Sequence, residues 1–142
     1  MSGAHGLERF VEAQAAVYAS ALSELREGRK RTHWMWFVFP QLRGLGGSAA
    51  SLHFGIASRA EAAAYLAHPV LGPRLLECTD AVNVHRGRSA EAIFGPVDAL
   101  KLRSSMTLFE SAGGGAPFGR CLEAFFGGVP DRRTLDLLAT RA

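Results

Sequence analysis

The chain has 142 residues, 48% hydrophobic and 20% charged, which is enough apolar content for one buried core and too much for a disordered chain. The formal net charge is only +3, from 16 Lys and Arg against 13 Asp and Glu, a smaller excess than a dedicated polybasic nucleic-acid binder carries. That charge is local: Arg26, Arg29, Lys30, Arg31 and Arg43 against Glu27 give residues 26–43 a net of +4, and the rest of the chain sums to −1.

Leu7, Phe10, Val11, Val17, Tyr18, Ala21, Leu22 and Leu25 recur at helical spacing, which predicts one helix from about Leu7 to Glu27, stopped by Gly28. Gln14 falls in the middle of its apolar face, so its amide needs partners there. The aromatic run from Trp34 to Phe39 has strand propensity, but no second strand exists to pair with it. A short buried helix ending before Pro40, capped by Thr32, is the better reading. Residues 43–50 read as a Gly/Ser-rich loop and Ser51–Ile56 as a short turn or helix. Ser58 with Glu61 forms a capping box that opens a helix to Ala67. Leu71, Leu75, Cys78 and Val82 form the stripe of a helix that starts at Pro69 or Pro73 and runs to about His85. Ser89 starts a short turn of helix. Asp98 is the expected N-cap of a helix over Ala99–Ser111, apolar on several sides and therefore central. After Gly113-Gly114-Gly115, Pro117 opens a helix to Phe126, and Asp131 caps a last one to about Thr140.

The expected fold is a single all-α domain over residues 1–142, an orthogonal array of about six to eight short helices, with residues 1–6 flexible. Cys78 and Cys121 lie 43 positions apart, which excludes a zinc knuckle or a redox CxxC motif. Both fall within helices and read as inert core thiols. No signal-peptide pattern opens the chain and its longest apolar run is far too short to span a bilayer, so a cytoplasmic protein without membrane contact is expected.

Two segments carry chemistry-bearing residues. On the helix of residues 99–111, Lys101, Ser104 and Ser105 share a flank while Arg103 and Thr107 lie on the other side. The first group could line a pocket for phosphate or carboxylate. Alternatively, Lys101 and Arg103 pair with acids such as Asp80 or Glu77 and the serines bond back to the helix. The second segment, Arg29 to Gln41, sets cations beside His33, Trp34 and Trp36. These could stack a base or sugar, or be a core run after a helix end that favours cations. Gly44-Leu45-Gly46-Gly47-Ser48-Ala49 satisfies a dinucleotide-binding pattern, but no βαβ unit surrounds it, so it reads as a loop. His53, His68 and His85 have no partner at helical spacing for a metal, and His68 and His85 suit helix ends. No metal or other cofactor is expected.

Arg9-Phe10-Val11-Glu12-Ala13-Gln14, the run Gly28 to Leu42, the run Tyr65 to Leu75 and the run Lys101 to Phe109 together resemble the bacterial family known as domain of unknown function 1810. The resemblance covers nearly the whole chain. It implies a small all-helical protein and brings no established activity. Thr32 stands where the family more often has Ser, and His53-Phe54 where Tyr is common.

The leading expectation is a small cytosolic protein that binds a small anionic, nucleotide-like ligand with Gln14, His33, Trp34, Gln41, Lys101, Arg103, Ser104 and Ser105. In it Lys101 neutralises charge, the serines donate hydrogen bonds and Trp34 stacks. Were it an enzyme, His33 is the candidate general base. One alternative is a protein–protein interaction module without catalysis, favoured by an exposed Trp34 or Trp36. Another is weak nucleic-acid binding through residues 29–41, the less expected partner. A shared cavity for His33 and Lys101 is the observation that bears most on these readings.

Overall fold

A computed structural model describes residues 6–141. Among them lie ten helices: α1 (Glu8–Ala15), α2 (Tyr18–Glu27), α3 (Met35–Val38), α4 (Ala49–His53), α5 (Arg59–Ala67), α6 (Leu71–Asn83), α7 (Ala90–Phe94), α8 (Pro96–Ser111), α9 (Ala116–Phe126) and α10 (Arg132–Thr140). The class is all-α as expected, with more helices than the six to eight anticipated. The expected flexibility of residues 1–6 falls almost wholly on residues 1–5, which lie outside the described residues.

The extra helices have local causes. The helix expected over 7–27 breaks at Ala16–Val17 because its halves bury against different partners, α1 on α3 and α2 on α6. Gln14, at the end of α1, is only 1% exposed. Its amide donates to the Phe37 carbonyl at 2.6 Å and meets the Tyr65 hydroxyl at 3.1 Å, and its oxygen accepts from Arg74 at 3.3 Å. The amide thereby ties α1 to α3, α5 and α6 from inside the core.

Most of the expected caps are in place. Gly28 ends α2 in the left-handed region at φ 77°, where a glycine avoids the Cβ penalty. Ser58 Oγ accepts from the Glu61 amide at 3.1 Å, and Asp131 caps α10 through the Thr134 amide at 3.0 Å. His68 closes the start of α6 by accepting from the Val70 and Leu71 amides. His85 bonds the Leu25 carbonyl at 2.9 Å.

Two expected caps are not. α3 has Trp34 at its N-cap without side-chain help, because the Thr32 hydroxyl donates instead to Glu24 at 2.6 Å. α8 starts earlier than expected, at Pro96 after Gly95 with φ 82°. A proline suits the first helical position because its missing N–H would be unsatisfied there. Asp98 therefore sits in the first turn with its carboxylate free for other partners.

One hydrophobic cluster runs through the described residues, with Phe10, Trp34, Phe39, Tyr65, Phe109 and Phe118 its largest fully buried members. α8 lies at its centre and packs on α5, α7, α9 and α10. Cys78 and Cys121 are both free and buried in it. Burial is the main cause that pushes each thiol up to about 12. No helix among the described residues is long and apolar enough to cross a membrane.

Candidate functional site

The site is built by an excursion of the chain. Leu42 and Ile56 form an isolated parallel bridge, closed by Arg43 N–H to the Ile56 carbonyl at 2.7 Å and Ile56 N–H to the Gln41 carbonyl at 2.9 Å. Between them the Gly-rich segment and α4 loop out and return. Two arginines from different elements staple the loop: Arg9 and Arg43 each donate to the Gly55 carbonyl at 3.0 Å. Gly55 has no room for a side chain, since a Cβ there would lie 2.7 Å from both the Arg43 side chain and the Ser51 carbonyl. The Gly44–Ala49 motif thus belongs to a loop that ends at the Ser48 cap of α4, with no strand beside it.

This loop, α3, the first turns of α8 and the start of α10 enclose a cleft of about 330 Å³, the lower end of the size range for small-molecule sites. Trp36, Leu42, Leu45 and Phe54 form its apolar wall. Val97, Leu100, Lys101 and Ser104 come from one stripe of α8 at helical spacing. Gln41, Ser51, Asp131 and Arg133 complete the polar lining.

Two cations reach the cleft in different states. Lys101 lies 4.1 Å from the centre of the Trp36 ring and pairs with Asp98 at 3.3 Å. It takes neither Asp80 nor Glu77, because Asp98 lies one turn back on its own helix. Arg133 is exposed and makes only two long bonds of 3.5 Å, to the Gly44 and Leu45 carbonyls. No carboxylate pairs with it among the described residues. Asp131 is spoken for as the α10 cap. Ser51 donates to the Ser48 carbonyl at 2.9 Å, and Ser104 to the Leu100 carbonyl at 3.2 Å. As it stands, Ser104 offers the cleft lone pairs rather than a proton, the reverse of the donor role expected.

Of the residues singled out from sequence, the cleft brings together Gln41, Lys101 and Ser104. The others lie elsewhere. Gln14 is enclosed by its own partners, as described. Trp34 is 1% exposed and donates its indole N–H to Glu24 at 2.9 Å, so Trp36 takes the aromatic place in the wall. His33 is exposed on the turn before α3 and does not line the cleft. His33 and Lys101 therefore do not meet in this cleft. Ser105 is fully buried in the core with its hydroxyl unpartnered. Arg103 donates to the Val129 carbonyl at 2.9 Å and lies 5.9 Å from the Phe126 ring centre. Sequence reasoning missed Arg133, Asp131, Phe54 and Leu45. The first two carry no signal beyond the capping motif, and the others are distant in sequence from α8.

Behind the wall, Glu24 organises the turn that precedes α3. Its carboxylate accepts from the Arg31 and Thr32 amides, the Thr32 hydroxyl and the Trp34 indole. Burial opposes its ionisation, but these donors win and hold its carboxyl down to about 2. Among the described residues no group of three or more His, Cys, Asp or Glu side chains could hold a metal ion.

The fold and cleft define a small all-α protein with a mixed aromatic and cationic surface site. The chain belongs to the family described as "Protein of unknown function (DUF1810)", whose profile matches residues 4–138. It is similar to the conserved hypothetical protein Rv1873 from Mycobacterium tuberculosis, known from a crystal structure, with 60% identity and a TM-score of 0.93 over 95% of this chain and 97% of that one. No curated protein matches the chain.

Proposed function

We propose that the chain is a cytoplasmic protein that binds a small organic anion in this cleft. The observation that carries the reading is the meeting of two cations, Lys101 and Arg133, with the aromatic and aliphatic wall of Trp36, Phe54 and Leu42 in one concave site. Lys101 and Arg133 supply charge for a phosphate or carboxylate, and the wall takes the apolar or planar body of the ligand. The Gln41 amide and the Ser104 lone pairs recognise polar edges. This division of labour suits a nucleotide-like molecule better than a bare ion.

Two other readings have less support. With Trp34 in the core, only Trp36 of the segment's two tryptophans lines an open surface. One ring in a small cleft is less than the run of stacking platforms that a single strand uses, so nucleic acid is the weaker partner. The exposed Val97 and Leu100, 65% and 62% accessible at the rim, favour a protein partner as the second reading.

Thermal unfolding in the presence of adenosine 5′-monophosphate, ribose 5-phosphate, benzoate and inorganic phosphate tests the proposal. A ligand at about a hundred times its Kd stabilises by ~2.7 kcal/mol, which raises the Tm by roughly 6–10 °C for a chain of this size. The expected result is such a rise with adenosine 5′-monophosphate, smaller with inorganic phosphate, and lost in Lys101→Ala. No rise with any of the four, in wild type and variant alike, would sink the reading.

A further inference from the structure

The chain's only two lysines, Lys30 and Lys101, are 71 positions apart and converge on one carboxylate. Lys30 Nζ lies 3.0 Å from Asp98 Oδ2, and Lys101 Nζ lies 3.3 Å from Asp98 Oδ1. Each ammonium also faces its own indole, Lys30 over Trp34 at 5.0 Å and Lys101 over Trp36 at 4.1 Å. Only Lys101 lines the cleft. The Lys30 side chain is just 8% exposed and donates a further bond to the Thr32 carbonyl at 2.6 Å. Its backbone is pinned as well, with its amide on the Ile93 carbonyl at 2.8 Å. The Glu24 hub fixes the rest of that turn.

Burying a lysine in this way needs a return elsewhere, since desolvating an ammonium is unfavourable unless it is paired. The charge sum suggests what the return is. Asp98 with Lys101 alone is neutral, and an anion entering the cleft would have to draw Lys101 away and leave a bare carboxylate beside it. With Lys30 present the triad is +1, and Asp98 keeps a counter-ion when Lys101 turns to the ligand.

We propose that Lys30 is a positioning residue for the anion site: by holding the charge of Asp98 from behind the wall, it leaves Lys101 free to bind the ligand. The inference rests on the anion reading of the cleft. It also explains why the Lys30 side chain is buried while its neighbours Arg29 and Arg31 are exposed.

Calorimetry with adenosine 5′-monophosphate and inorganic phosphate, on the wild type and on Lys30→Met, Asp98→Asn and the double variant, tests it. Lys30→Met should weaken binding about tenfold, in keeping with the loss of one nearby unit charge at high effective dielectric. Lys30→Met/Asp98→Asn restores the net charge and should return to within about threefold of wild type. A merely structural Lys30 would leave the double variant as weak as the single one, and that result would overturn the proposal, as would unchanged affinity in Lys30→Met. If Lys30→Met does not fold, Asp98→Asn decides alone: tighter binding supports the proposal and unchanged or weaker binding overturns it. Because there are two lysines, ε-methylene resonances of lysine-labelled protein give a second reading. Addition of ligand should move the Lys101 signal and leave Lys30 nearly still. Equal movement of both would also overturn the assignment. If neither probe binds the wild type, the cleft reading and this inference fall together. If Lys101→Ala abolishes binding and Lys30→Met does not weaken it, only the inference fails.

Discussion

A single carboxylate can organise a turn when the backbone around it has donors and no regular structure to spend them on. Glu24 accepts from two backbone amides, of Arg31 and Thr32, and from the Thr32 hydroxyl and the Trp34 indole, and it is 6% exposed. Replacing one oxygen with an amide removes the charge and turns one acceptor into a donor facing other donors. Glu24→Gln should therefore destabilise the protein by about 2–3 kcal/mol near neutral pH, as read by denaturant unfolding. The sign with pH follows from a carboxyl held down to about 2 in the folded protein, against an ordinary glutamate value of about 4.5. Because the folded value is the lower one, the ionised carboxylate stabilises the fold fully above about 4.5. That contribution is lost as pH falls from 4.5 toward 2. The gap between wild type and Glu24→Gln should narrow across that window. A gap independent of pH between 2 and 6 would show that the charge on Glu24 is not what holds the turn.

At the level of elements, the close approach of α5 and α6 depends on an absent side chain. A Cβ on Gly72 would lie 2.1 Å from the Leu66 carbonyl oxygen, a backbone atom that cannot swing away. Gly72→Ala must part the two helices, and overpacking of this kind destabilises by about 1–3 kcal/mol or more. Gly47→Ala, which meets nothing within 4 Å, is the matched control in the same melting experiment. Equal effects from the two would contradict this packing. The contrast marks what the sequence could convey. Capping residues with short-range partners, such as Ser58, Asp131 and Gly28, were legible because their chemistry lies within one turn. The start of α8 was misread because Asp98 looks like a cap, while its real partners include Lys30, far away in sequence. The break at Ala16–Val17 was invisible for the same reason, since it is set by which helix each half packs against. In the cleft, Lys101 and Ser104 were found because they share a helical stripe. Arg133 and Phe54 reach the site only through tertiary folding, and nothing local separates Trp36 in the wall from Trp34 in the core.

On the scale of the whole molecule, the two thiols report whether the described helices open together. Cys78 on α6 and Cys121 on α9 are both fully buried, and the two helices pack on one another. Burial is the leading cause that pushes each thiol up to about 12, and at Cys78 it outweighs the opposing effect of the Tyr18 hydroxyl. At pH 8 the thiolate fraction of a group with such a pKa is about 10⁻⁴, and the thiolate is the species that alkylates. Labelling by iodoacetamide must then wait for an opening that both exposes the sulfur and restores its ordinary acidity. If one continuous core governs stability, that opening is global unfolding. The two cysteines should label with the same opening free energy, equal to the value from denaturant melts. Mass spectrometry of the α6 and α9 peptides over a labelling time course reads both rates at once. Faster labelling of Cys121 alone would mean that α9, flanked by the Gly113–Gly115 and Gly127–Gly128 turns, opens as a unit of its own.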